Sequence, residues 1–200
     1  MTHEIICAGF GGQGVMLIGQ LLAYGGMIEG KEVTWFPSYG PEMRGGTANC
    51  SVVISDQPIG SPVVAEPDGL IAMNGPSLVR FKGAVKPGGV IVYNSSLVAE
   101  APELQGVRIC AVPANELARE LGNDKIGNMV VLGAFLGLTK AVTVARKSEQ
   151  KTPRQSPDQK PFFSGSVWAL GVFFIPAPPC GNFRIIIPKP DHVYVQRKRR

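Results

Sequence analysis

The sequence predicts an α/β protein built on a doubly wound, mostly parallel β-sheet. Short apolar segments of five to nine residues recur along residues 1–145, which is typical of strands buried on both faces of a parallel sheet. Segments with the apolar spacing of amphipathic helices separate several of these strands. Strands that alternate with helices indicate a sheet covered by helices on both faces.

The first third of the chain predicts three strands and one helix. The strands are expected at Glu4–Gly9, Lys31–Trp35 and Thr47–Ser55. The first of these is continuously apolar after its opening residue and is therefore expected to be central in the sheet. Val15–Glu29 has apolar residues at helical spacing, and Gly30 ends this helix. The segment 36–41 contains two prolines and a glycine, so we expect the second strand to end before it.

Three further strands and three helical segments follow up to residue 138. The strands are predicted at Gly69–Met73, Gly89–Tyr93 and Val107–Val112, and the short helices near Ser77–Phe81 and Ala114–Leu121. The last helix, Ile126–Leu138, is almost uniformly apolar. It is therefore expected to be buried under the sheet or against a partner.

Charge divides the 200-residue chain near residue 145. Residues 1–145 carry 9 Lys and Arg against 12 Asp and Glu, whereas residues 146–200 carry 11 against 3 and hold 8 of the 17 prolines. The prediction is an α/β domain over 1–145 and an atypical tail over 146–200. A solvated tail is favoured over an arm that binds nucleic acid.

The termini and the cysteines indicate a cytoplasmic protein. No apolar run reaches the length of a membrane span, and the first residues lack the basic start of a signal peptide. The four cysteines are scattered without a C-x-x-C spacing, which argues against a disulfide framework or a metal site. Three of them, Cys7, Cys50 and Cys110, lie in apolar strand-like runs and are expected to be buried thiols. We expect neither a membrane nor a nucleic-acid partner.

A glycine-rich segment, Gly9-x-Gly11-x-x-Gly14, lies between the first strand and the first helix. In this Rossmann-like βα context, backbone N–H groups can approach a phosphate at the helix N-terminus. A nucleotide-hydrolysing phosphate loop requires Lys and then Ser or Thr, but Val15 and Met16 follow here. An acidic residue for a dinucleotide ribose is also absent from the end of the second strand. The adenosine diphosphate part of coenzyme A remains, and the alternative is a tight turn without a ligand.

A second loop is expected at the same edge of the sheet if the second strand is parallel to the first. Its prolines and glycines leave four polar side chains on display: Ser38, Tyr39, Glu42 and Arg44. Arg44 can bind a phosphate or a carboxylate with its two-pronged guanidinium, although an Arg44–Glu42 contact that stiffens the loop is the alternative. Histidine occurs only at positions 3 and 192, so no general base and no catalytic residue is predicted in the domain.

Four segments resemble the gamma subunit of the 2-oxoacid:ferredoxin oxidoreductases. They are GFGGQGV at 9–15, FPSYGPEMRGGTANCSVVIS at 36–55, IGSP at 59–62 and GNMVVLGAFLG at 127–137. The resemblance covers about residues 3–144. It implies one subunit of a complex that oxidatively decarboxylates a 2-oxoacid, forms the acyl-coenzyme A and reduces ferredoxin. In such a complex, thiamine diphosphate and iron-sulfur clusters belong to the alpha, beta and, where present, delta subunits.

The resemblance also implies where coenzyme A binds. By position, Gly11, Gly12, Gln13 and Gly14 are the expected loop contacts, and Ser38, Tyr39, Glu42 and Arg44 form the expected second patch. The segment GPEMRGGTANC favours 2-oxoglutarate as the substrate. A stand-alone module that binds a nucleotide or coenzyme A is the alternative function.

The resemblance ends near Val144, where the chain becomes basic and rich in proline. A change of reading frame would produce such a shift in composition, and a genuine extension is the alternative. We expect residues 146–200 to be either out of frame or disordered.

Overall fold

A computed structural model describes residues 1–39 and 46–143. Within these ranges the chain forms one six-stranded sheet in the order β2-β3-β1-β4-β5-β6. The strands are β1 Thr2–Phe10, β2 Glu32–Tyr39, β3 Thr47–Ser55, β4 Gly69–Ala72, β5 Val90–Asn94 and β6 Arg108–Val112. The helices are α1 Val15–Ile28, α2 Gly75–Phe81, α3 Ala114–Glu120 and α4 Gly127–Thr139, with short 3-10 turns at Lys82–Ala84 and Asp124–Ile126.

The predicted α/β class with a mostly parallel sheet is confirmed. β1 pairs in parallel with β4, β4 with β5, and β5 with β6. β1 lies inside the sheet between β3 and β4, as its apolar sequence predicted. Within the described residues only β3 runs against the other strands, because it pairs antiparallel with both β1 and β2.

The prediction that the second strand ends before Phe36 is wrong. β2 continues through Pro37 to Tyr39, and Pro37 lies opposite Cys50 on β3. β2 is the outer strand of the sheet, and an edge strand tolerates a proline because a missing N–H can face away from the neighbouring strand.

Both faces of the sheet are covered. α1 packs on β2 and β3, and α4 packs on β4 and β5 of the same face. A Cβ atom at Gly19 of α1 would collide with the Cys50 sulfur, so this glycine lets the helix approach the sheet closely. The opposite face holds a second cluster around Ile6, Leu70 and Ile91, which Leu78 of α2 covers together with residues of the connecting segments.

The predicted helix Ile126–Leu138 corresponds to α4 and is buried along one side by the sheet, with Phe135 against Gly69. Among the described residues, no helix is both long and apolar enough to cross a membrane. The predictions for residues 146–200 lie outside the described residues.

Candidate functional site

The glycine loop lies at the carboxyl edge of the sheet, directly after β1. Gly12 and Gly14 have φ angles of 97° and 74°, a backbone region that favours glycine over residues with a side chain. Gly9 is buried at the base of the loop, where a Cβ atom would lie 2.7 Å from both the Gln13 Oε1 and a Val15 methyl group. The loop therefore requires glycine for backbone shape at two positions and for space at a third.

Gln13 ties the loop to the neighbouring strand. Its Oε1 accepts a hydrogen bond from the Phe10 N–H at 2.7 Å and another from the Asn74 Nδ2 at 3.1 Å. Its Nε2 lies 3.5 Å from the carbonyl oxygen of Met73. The amide of Gln13 thus points towards the end of β4 and is engaged within the protein.

The end of the β2–β3 connection contacts the glycine loop. The Gly11 N–H donates to the Gly46 carbonyl oxygen at 3.0 Å. β2 and β1 run in the same direction with β3 between them, so the carboxyl ends of both strands meet at this edge. In this register Ser38 and Tyr39 lie level with Ala8 and Gly9 of β1, with β3 between the two strands.

The N-terminus of α4 also contacts the loop. The side chain of Asn128 is buried, and its Nδ2 donates a long hydrogen bond of 3.5 Å to the Gly14 carbonyl oxygen. A Cβ atom at Gly14 would collide with the Asn128 side-chain amide. The N-termini of α1 and α4 therefore converge at Gly14.

This convergence favours an anionic ligand. Among the described residues, the backbone N–H groups of Gly12, Gly14, Val15 and Met16 have no hydrogen-bond acceptor. The N-cap residues of α1 and α4, Gly14 and Ile126, provide no capping side chain. In the first turn of α4, the Asn128 Oδ1 accepts a hydrogen bond from the Met129 N–H. Two helix N-termini add their partial positive charges here, and such positions bind phosphate or carboxylate groups.

The thiols near the loop are structural. Cys7 and Cys50 lie opposite each other on β1 and β3, are buried and are free thiols. The hydrogen bond to Cys50 and burial raise the pKa of Cys7 well above its ordinary value, so this thiol is protonated at neutral pH. The Cys50 sulfur donates to the Val15 carbonyl oxygen at 3.7 Å. The described residues contain no group of three or more His, Cys, Asp or Glu side chains that could hold a metal.

His3 lies far from this edge, because it sits near the opposite end of β1, seven residues before Phe10. That distance is about 23 Å along a strand. Burial and, to a lesser extent, the positive charge of Lys31 lower the pKa of His3. His192 lies outside the described residues.

The predicted site residues have different positions in the structure. Gly11, Gly12 and Gly14 lie in the loop itself. Gln13 links the loop to Asn74 through a side-chain hydrogen bond. Ser38 is exposed on β2 and faces Asn49 in the register. Tyr39 ends β2, where only its backbone is described, and Glu42 and Arg44 lie outside the described residues.

Sequence reasoning missed Asn74 and Asn128. Asn74 caps α2, with its Oδ1 accepting from the Ser77 N–H at 2.9 Å. An asparagine between a buried strand and a predicted helix is an N-cap signal, so the sequence offered a clue for Asn74. Asn128 had no such clue, because its partner Gly14 lies 114 residues earlier.

Comparisons with known proteins agree with this architecture. The pyruvate ferredoxin/flavodoxin oxidoreductase family matches residues 4–155. The chain belongs to this family. The resemblance to the gamma subunits of the family is thereby confirmed, since curated relatives and solved gamma subunits both match.

Two curated relatives and two solved structures illustrate the relationship. The ketoisovalerate oxidoreductase subunit VorA of Methanothermobacter marburgensis is 45% identical over 66% of this chain and 27% of its own length. The 2-oxoglutarate synthase subunit KorC of Methanocaldococcus jannaschii is 37% identical over 72% of this chain and 78% of its own.

The keto/oxoacid ferredoxin oxidoreductase gamma subunit of Geobacter sulfurreducens has a TM-score of 0.61 and 32% identity, covering 70% of this chain and 79% of that one. The 2-oxoglutarate:ferredoxin oxidoreductase of Magnetococcus marinus, solved with 2-oxoglutarate, coenzyme A and succinyl-CoA bound, has a TM-score of 0.63 and 30% identity. Its match covers 68% of this chain and 24% of that chain.

The family members differ in length relative to this chain. The chain spans about a quarter of the VorA proteins but about four fifths of the KorC proteins. The same domain therefore occurs within a longer polypeptide in some relatives and makes up most of a polypeptide in others.

Proposed function

We propose that this chain is the gamma subunit of a cytoplasmic 2-oxoacid:ferredoxin oxidoreductase and that its glycine loop binds the phosphate groups of coenzyme A. The observation that carries the proposal is the convergence of the α1 and α4 N-termini at Gly14, beside four backbone N–H groups without an acceptor among the described residues. Coenzyme A supplies the matching chemistry, since its adenosine part carries a diphosphate and a separate phosphate. The Magnetococcus relative with coenzyme A bound supports the assignment.

Partner subunits complete the proposed enzyme. The alpha and beta subunits, with a delta subunit where one is present, carry thiamine diphosphate and iron-sulfur clusters in this proposal, and ferredoxin accepts the electrons. Thiamine diphosphate supplies the carbanion chemistry of decarboxylation when bound in those subunits. The present chain contributes coenzyme A binding and assembly. The long VorA relatives, in which this domain is a quarter of the polypeptide, support a function inside a larger protein.

Two kinds of similarity bear on the substrate within the class. The segment around Arg44 favours 2-oxoglutarate, as do relatives named 2-oxoglutarate synthase subunits. Relatives named ketoisovalerate oxidoreductase subunits have higher identity, at 45% and 47%. We keep 2-oxoglutarate as the proposed substrate and test it directly against 2-ketoisovalerate and pyruvate.

The test uses the full chain with and without its partner subunits. Reduction of a viologen dye is followed with each of the three 2-oxoacids, with and without coenzyme A. The expected result is no turnover by the isolated chain and coenzyme A-dependent turnover by the assembled complex, fastest with 2-oxoglutarate. Turnover by the isolated chain, or a complex whose rate does not depend on coenzyme A, would contradict the proposal. Tight coenzyme A binding by a chain that joins no partner would favour the stand-alone module instead.

A further inference from the structure

The glycine loop is held by a side-chain bridge rather than by its own backbone alone. Its backbone closes through the Gln13 N–H, which donates to the Phe10 carbonyl oxygen at 3.1 Å. The Gln13 side chain then crosses to the segment after β4, where Asn74 Nδ2 donates to its Oε1. The loop and α2 are therefore joined through two amide side chains that lie 61 residues apart in the chain.

The orientation of both amides is fixed by backbone groups. The Asn74 Oδ1 accepts from the Ser77 N–H, so its Nδ2 has to point towards Gln13. The Gln13 Oε1 accepts from the Phe10 N–H, so its oxygen has to face Asn74. Reversal of either amide would place two donors or two acceptors against each other. Asn74 is also buried, with 4% of its surface exposed, which excludes competing water.

We propose that Gln13 and Asn74 are positioning residues, whose hydrogen bond sets the loop backbone so that the N–H groups of Gly12 and Gly14 face the ligand. This inference rests on the proposed function, because it assigns how the same loop is prepared for coenzyme A. In this proposal neither side chain has to touch the ligand. Gln13 thereby changes from an expected ligand contact to a residue that acts through its glycine neighbours.

The glycines of the loop explain why a side-chain bridge would favour binding. Gly11, Gly12 and Gly14 give the loop the largest backbone freedom of any residue type, and ordering that freedom opposes binding. A bridge that is already formed in the free protein removes part of this entropy loss. Loss of the bridge should therefore weaken coenzyme A binding more than it weakens the fold.

Asn74→Asp breaks the bridge and keeps the helix cap. Asp retains the Oδ1 that accepts from the Ser77 N–H, but it places a second oxygen against the Gln13 Oε1. If the Gln13 amide turns so that its Nε2 donates to this carboxylate, the Phe10 N–H loses its acceptor and the Gln13 Oε1 faces the Met73 carbonyl oxygen. Gln13→Met removes the bridge from the other side with a similar side-chain volume and leaves Asn74 unchanged.

A matched control is available at Gln57. It is exposed in the turn after β3, at the edge of the sheet opposite the glycine loop. Gln57→Glu therefore replaces an amide by a carboxylate, as Asn74→Asp does, but far from the bridge and from the N-termini of α1 and α4.

The experiment measures coenzyme A-dependent turnover of the assembled complex at saturating 2-oxoacid. Asn74→Asp and Gln13→Met should each raise the KM for coenzyme A about ten-fold, the usual scale for a buried hydrogen bond, and leave kcat at saturating coenzyme A unchanged. The KM of the double variant for coenzyme A should not exceed the higher of the two single-variant values, because both changes break the same interaction. Gln57→Glu should match the wild type.

Each outcome decides between the two proposals. If Gly12→Val raises the KM for coenzyme A while both bridge variants leave it unchanged, the positioning role is wrong and the proposed function stands. Additive effects of the two bridge variants, or a fall in kcat alone, would also overturn the positioning role. If neither Gly12→Val nor the bridge variants alter coenzyme A use, the loop is not the coenzyme A site and the proposed function fails. Should Asn74→Asp not assemble, Gln13→Met decides the question, because the α2 cap is intact in it.

Discussion

The side-chain amide of Asn128 lies 3.5 Å from the carbonyl oxygen of Gly14, and this contact joins the N-terminus of α4 to the N-terminus of α1. Gly14 has a φ of 74° and no room for a side chain on the Asn128 side. Glycine at this position therefore meets two separate requirements, one of backbone conformation and one of packing.

Gly14→Ala should destabilise the fold by about 2–5 kcal/mol, since a left-handed conformation costs about 1–2 kcal/mol and overpacking adds about 1–3 kcal/mol. Gly30 has a similar φ of 73° with nothing near its Cβ position, so Gly30→Ala should show the conformational cost alone. Urea unfolding of the two variants measures the difference. The double variant Gly14→Ala/Asn128→Ala should recover the packing part. Equal losses at Gly14 and Gly30 would contradict the close contact.

Gly12→Val should raise the KM for coenzyme A ten-fold or more, because a branched side chain would stand between the loop backbone and the ligand. The Cβ position of Gly12 is open, with a φ of 97°. Gly106 is equally open at a φ of 74°, so Gly106→Val is the control for backbone strain. Both variants should lose about 1–2 kcal/mol of stability, and coenzyme A titration of the complex should separate them.

Arg44→Ala should weaken the use of coenzyme A by roughly 10- to 150-fold, if Arg44 supplies a charge-assisted hydrogen bond to a phosphate. Arg108→Ala is the control, because Arg108 is exposed on β6 at the far side of the sheet. The apparent affinity for coenzyme A and the elution volume of the complex are measured together. An unchanged affinity would favour the Glu42 contact, and a dissociated complex would make this loop a subunit interface.

His3 should make the domain less stable as the pH falls. Burial lowers the pKa of His3 in the folded state, so the unfolded chain binds the proton more readily. The stabilisation is complete above the unfolded value of about 6.5 and is lost as the pH falls towards the folded value. His3→Gln should flatten this dependence, by at most about 1.4 kcal/mol per pH unit.

His192→Gln is the matched control for that measurement, because the chain has two histidines. Urea unfolding between pH 7.5 and 5.5 compares the three proteins. This window is chosen as roughly the titration range of histidine. Carboxyl groups such as Glu116, whose hydrogen bond from Ser96 lowers its pKa, titrate mainly below it. A slope that His3→Gln leaves unchanged would contradict the prediction.

Local sequence patterns predicted most of the elements. The third strand, Thr47–Ser55, has the same bounds in the structure, and helix α1 begins at Val15 as expected. The direction of each strand was harder to predict from the sequence, because an apolar segment has the same pattern whether the strand pairs in parallel or antiparallel. The turn-rich segment between β2 and β3 was compatible with a hairpin, and a hairpin reverses the strand that follows it.

The position of the glycine loop was predictable from the sequence, but its internal contacts were not. The glycine spacing located the loop, since it records a local turn between β1 and α1. The roles of Gln13 and Asn128 depend on partners 61 and 114 residues away, and no local pattern encodes such distances. The strand end predicted at Pro37 was wrong for a related reason, because only the sheet order shows that β2 is an edge strand.

The loop is held by Gly46, Asn74 and Asn128, which belong to three distant parts of the chain. Ligand binding at the loop and folding of residues 1–128 are therefore coupled equilibria, because the unfolded chain cannot hold these groups together. A ligand present at one hundred times its Kd would add about 2.7 kcal/mol to the stability of the whole domain. Heat-induced unfolding can thus report occupancy of the loop without any catalytic turnover.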